Sequence, residues 1–155
     1  MNEQDKLKAL RFFLRVYGAL SLAIFVPLCL GIVLQSSMLA EGGLMNWTIW
    51  NGVICGGSRG LCYVPPMLFI IYIVWAVFLL LAARDPQGYA SFLDFTVWAN
   101  LLHGAIMVIE ALSDLHRYWS KFLTDIPFVT LLAIGIYLLR PSSPRKRDAS
   151  VSAPG

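Results

Sequence analysis

SFLDFTVWANLLHGAIMVIEAL, residues 91–112, is the stretch that decides what kind of fold this chain can adopt. Wound as a helix at 1.5 Å per residue, it is long enough to cross a hydrocarbon layer ~30 Å thick, yet it carries Asp94, Asn100, His103 and Glu110. An ionisable group at the centre of a membrane span costs roughly 2.5–3.5 kcal/mol on insertion scales. Such groups are therefore expected to face other helices rather than lipid. Residues three and four apart share a helix face, so Asn100, His103, Met107 and Glu110 fall on one stripe, with Gly104 beside it. This stripe is the candidate polar intramembrane site. Asp94 lies off it, three residues after Ser91. Ser91-x-x-Asp94 has the form of a capping box with Asp in place of Glu, and a negative charge suits a helix N-terminus.

The rest of the chain fits the same solvent. Of its 155 residues, 58% are hydrophobic and only 14% are charged, with a mean hydropathy of +0.69. A soluble domain is nearer 45–50% apolar and about 25% charged, so the excess calls for a bilayer. Four spans are predicted, at residues 10–34, 64–84, 91–112 and 122–140. All four should be helices, because a helix satisfies its own backbone in lipid. Pro27 predicts a kink in the first. That span follows Lys6, Lys8, Arg11 and Arg15, but its apolar run exceeds a signal-peptide core and no small-x-small site follows, so it reads as an uncleaved span. The fold class is thus all-α: a four-helix transmembrane bundle over residues 1–140 with a long outer loop between the first two helices. Residues 141–155, rich in Pro, Ser and charge, read as a disordered basic tail.

Lys and Arg set the expected orientation. Lys6, Lys8, Arg11, Arg15, Arg84, Arg140, Arg145, Lys146 and Arg147 fall on one side; Arg59, Arg117 and Lys121 fall on the other. The richer side is cytoplasmic, which puts both termini inside and predicts a multi-pass protein of the inner (plasma) membrane. Cys29 lies within the first span as a packing residue. Cys55 and Cys62 share the outer loop, where an oxidising compartment permits a disulfide; two free thiols are the other reading.

His103 sits near mid-span. A hydrogen bond to a neighbouring helix, with Asn100 as support and Tyr72 or Tyr137 as partner, is one reading; proton or ligand chemistry is the other. Glu110, about 10 Å further along the axis, falls near the outer surface, where it either pairs with Arg117 or Lys121 or lines a shallow pocket. Thr124-Asp125-Ile126-Pro127 is a helix-start signal with Asp125 as a cap. Arg84-Asp85-Pro86 ends the second helix and turns the chain. No Ser/His/Asp set, phosphate-binding loop, CxxC or metal-spaced Cys/His cluster is present, so neither catalytic nor metal residues are assigned. No basic stripe interleaved with aromatics suggests nucleic acid.

The run MLFIIYIVWAVFLLLAARDP at residues 67–86 and the stretch at 91–112 resemble the signature of a bacterial family of small four-span membrane proteins known only as a domain of unknown function. The matching elements are Ala83-Arg84-Asp85-Pro86, Ser91-x-x-Asp94-Phe95-Thr96, Trp98, His103-Gly104, Met107 and Asp125-x-Pro127. That pattern often places a histidine before Asp-x-Pro, where this chain holds Lys121. The resemblance implies fold and membership but no activity. A looser likeness of size and topology is to the DoxX-like membrane proteins.

Three functions follow as expectations. The first is a non-enzymatic accessory or assembly component, with membrane lipids and another membrane protein or a second copy as partners and with no cofactor. The second is a quinone- or haem-linked redox protein using the His103 face. The third is a small proton or solute carrier lined by Asn100, His103 and Glu110. A two-histidine haem would need His116, which lies roughly 20 Å from His103 if the helix continues.

Overall fold

An apolar run as long as a membrane is thick has one way to close its backbone hydrogen bonds locally, and the chain takes it three times among the described residues, with a fourth, shorter apolar helix beside them. The computed structural model describes residues 2–34, 36–38 and 64–140. Its long helices are α1 (Glu3–Val33), α2 (Val64–Ala82), α3 (Ala90–Ser113) and, after a short α4 (Leu115–Tyr118) and a 3₁₀ turn (Trp119–Phe122), α5 (Asp125–Leu139). No strand occurs among the described residues. α1, α3 and the segment Trp119–Leu139 are long and apolar enough to cross a membrane, while the apolar stretch counted for α2, Met67–Ala82, is shorter. The outer loop with Cys55 and Cys62, and the tail at 141–155, lie outside the described residues.

Two helix starts differ from the expected spans by more than one residue. α1 begins at Glu3 rather than at residue 10, because Asn2 caps it: its Oδ1 accepts from the Asp5 N–H at 2.7 Å. The charged first turns are amphipathic, with Leu10 and Leu14 fully buried while Glu3, Asp5 and Lys8 stay exposed. α5 begins at Asp125 rather than 122, because residues 119–122 tighten into the 3₁₀ turn. Pro27 stands inside α1, which runs on to Val33. The α2–α3 turn follows the expected Arg84-Asp85-Pro86 signal, with the Asp85 carboxylate accepting from the Gly88 N–H at 3.1 Å.

The helices pack as two neighbouring pairs, α1 with α2 and α3 with α5, joined by a contact of α1 with α5. Between α2 and α3 long side chains bridge the gap: Trp75 Nε1 donates to Thr96 Oγ1 at 3.1 Å, and Phe78 meets Phe92. Leu10, Leu14, Leu79, Leu132 and Ile136 are fully buried in the central cluster. A second cluster gathers Phe25, Leu28, Cys29 and Phe69, with Tyr72 stacked on Phe25 at a 4.8 Å ring separation. Three glycines set close approaches: a Cβ on Gly18 would stand 2.8 Å from the Leu80 side chain and 3.1 Å from the Ala76 carbonyl where α1 meets α2. A Cβ on Gly135 would penetrate the Phe13 ring where α5 meets α1, and one on Gly104 would stand 3.1 Å from Thr130 Oγ1 where α3 meets α5. The outer faces are apolar: Ile70, Ile71, Leu102, Ile106, Ile109 and Leu138 are each more than half exposed. Apolar surface on that scale marks contact with membrane or protein.

Candidate functional site

The structure divides the stripe read from α3. The buried line of this helix is Leu93, Thr96, Val97, Asn100, Gly104 and Ala111. Of the four candidates, Asn100 is buried, Met107 is half-buried, and His103 and Glu110 are exposed. The reason is steric as much as polar: small residues mark where α5 approaches, and His103 precedes Gly104 by one residue, about 100° round the helix. Asn100 is occupied locally, its Nδ2 donating to the Thr96 carbonyl at 2.8 Å.

The capping assignments are corrected. α3 starts at Ala90 behind Tyr89, with no side-chain cap, so Ser91 lies within the first turn and is exposed. Asp94 instead forms an ion pair with Arg140 at the end of α5. Asp125 is the first residue of α5 rather than its cap; Thr124 holds the cap position, and its hydroxyl donates back to the Ser120 carbonyl at 3.0 Å.

What α3 loses in the middle it regains at its far end. Lys121 Nζ meets Glu110 Oε2 at 2.7 Å and sits 4.8 Å from the centre of the Tyr118 ring. Asp125, four residues after Lys121 and at the start of α5, is within electrostatic range of Lys121, His103 and Glu110, and Tyr72 on α2 is within range of Asp125. His103 meets the Tyr72 ring edge-on, with centroids 6.5 Å apart. Tyr72, His103, Glu110, Lys121 and Asp125 therefore form one polar cluster, built by α2, α3, the 3₁₀ turn and α5. Ser120 is buried beside Lys121, and its hydroxyl has no hydrogen-bond partner among the described residues.

The sequence reading named Tyr72 and Lys121 as partners but read Asp125 only as a cap and did not single out Ser120. The direct polar contact in the cluster is the Lys121–Glu110 ion pair; His103 and Tyr72 meet as rings. Among the described residues no group of three or more His, Cys, Asp or Glu side chains is placed to hold a metal ion.

Over residues 6–153 the sequence matches a protein-family model described as a family of unknown function. No curated protein and no solved structure gives a significant match.

Proposed function

The chain belongs to that family, DUF6632, and from this premise we propose that it is a four-span membrane protein serving as a non-enzymatic accessory or assembly component. In this reading both termini lie on the cytoplasmic side of a bacterial inner membrane. The observation that carries it is the closed interior. Four inward-pointing polar side chains along the bundle are consumed by the helices themselves: Ser21 donates to the Tyr17 carbonyl at 2.8 Å, Tyr17 to the Phe128 carbonyl, Asn100 to the Thr96 carbonyl, and Thr96 accepts from Trp75. A solute pathway needs unpaired polar groups lining a cavity; here the middle of the bundle is leucine, isoleucine and aromatic rings. The polar cluster runs from His103 and Tyr72 in mid-helix toward the end of α3, where Glu110 is exposed and a partner can reach it. The apolar outer faces suit lipid or another helix equally, and no net gain in water exclusion favours one over the other in a bilayer.

The test has two arms. In vesicles loaded with a pH-sensitive dye, the purified protein should leave proton leakage at the level of empty vesicles, and it should be colourless; a flux abolished by His103→Ala, or a haem absorption band, overturns the reading. In cells, photocrosslinkers at Ile106 and Ile109 should give a discrete protein adduct. Adducts to lipid alone at both positions overturn the accessory role. A C-terminal reporter active only outside the cytoplasm overturns the orientation.

A further inference from the structure

α3 and α5 touch closely at Gly104, but one turn nearer the Arg140 end they line an open groove of about 310 Å³. Its walls are Val97, Trp98 and Leu101 from α3 and Ala133, Ile134 and Tyr137 from α5, with Arg140, the last residue of that wall, also lining it. Trp98 and Tyr137 are 65% and 60% exposed, so the groove opens sideways, toward whatever surrounds the bundle. We propose that it holds an acyl chain of an anionic phospholipid, with the phosphate on Arg140. The inference rests on the membrane reading above and goes beyond it.

The polarity of the groove follows that of the ligand. Six apolar side chains form a slot of the size small-molecule sites begin at, and the single cation of its lining belongs to the residue that ends α5, where a headgroup would lie. Arg140 is the residue at which α5 ends, and a span ends at headgroup level. Its guanidinium is held from two sides: Nη1 pairs with Asp94, and the group lies 5.5 Å from the centre of the Tyr137 ring. A guanidinium has five N–H donors in a fixed fork, so the pairing through Nη1 leaves donors free to meet phosphate oxygens in the bidentate manner Arg favours. A basic side chain near a membrane surface favours anionic lipid by about fivefold, and Asp94, by sharing the cation, sets that as the upper bound. A second copy of this chain is the weaker fit, because its matching face would bring another Arg140 to the same level.

The experiment is native mass spectrometry of the full chain released from nanodiscs made of equal parts phosphatidylglycerol and phosphatidylcholine. Bound lipid should be enriched in phosphatidylglycerol, by up to about fivefold. Arg140→Gln should bring the ratio to parity, Asp94→Asn should raise it, and Leu101→Trp, which fills the groove, should reduce both lipids together. Helical circular dichroism confirms that each variant is folded. Parity in the unaltered protein, a preference unchanged in Arg140→Gln, or a dimer whose interface is lost with Leu101→Trp each overturns the proposal. Failure of the protein to float with vesicles overturns the membrane reading and this one with it, whereas flotation at lipid parity overturns this one alone.

Discussion

Gly135→Ala should weaken the bundle, and the size of the loss can be worked out from two opposing terms. Alanine is a better helix residue than glycine by roughly 0.5–1 kcal/mol. Against that, the new methyl would stand inside the Phe13 ring, a rigid group wedged at the α1–α5 contact with Tyr17 tilted against it at 5.2 Å. Overpacking costs about 1–3 kcal/mol, and a collision with a ring belongs at the top of that range. The net expectation is a loss of about 2 kcal/mol. Gly104→Ala makes the contrast: its methyl would meet Thr130 Oγ1 at 3.1 Å and Val129 at 3.3 Å, contacts relieved by a few tenths of an ångström, so the two terms nearly cancel. Reversible unfolding in detergent, followed by circular dichroism, measures both. The decisive control is Phe13→Leu, in whose background Gly135→Ala should turn neutral or mildly stabilising. If Gly135→Ala costs the same with and without the ring, the steric account of this contact is wrong.

Three further outcomes follow from individual bonds. Trp75→Phe and Thr96→Val remove the two ends of the α2–α3 hydrogen bond, and a double-mutant cycle should give a coupling of about 0.6 kcal/mol, the average for such bonds in membranes; zero coupling would mean the bond ties nothing. Tyr17→Phe deletes the hydroxyl that donates to the Phe128 carbonyl and should cost about 1 kcal/mol in the same unfolding assay. Lys121→Ala breaks the pair with Glu110, whose side chain is 48% exposed; the expected loss is under about 1 kcal/mol and should shrink as salt is added. A loss insensitive to salt would show that Lys121 acts through packing on Tyr118.

The four long helices were legible because span length and hydropathy are properties of a segment by itself. Membership of a family of unknown function was legible too, from the Ala83–Pro86 and residue 91–112 elements. The inward face of α3 was harder to read. Periodicity places Asn100, His103 and Glu110 on one stripe, but which edge of a stripe faces a neighbour depends on where that neighbour can approach. Gly104 and Thr96 fix that, and they look unremarkable in a polar/apolar pattern. Asp94 shows a second limit. A carboxylate three residues after a serine at a helix start satisfies every local rule for a capping box, yet its partner is Arg140, in another helix and remote in sequence. Asp125 was read locally for the same reason, although it joins a cluster that only the α4 and 3₁₀ turns bring into register.

The contact of α1 with α5 also has a consequence in time. Synthesis delivers α1 first and α5 last, so in a membrane the Tyr17 hydroxyl enters the hydrocarbon before the Phe128 carbonyl it serves exists. An unpaired hydroxyl there carries a penalty of a few kcal/mol. Until α5 arrives, that donor waits without the acceptor it has in the finished bundle.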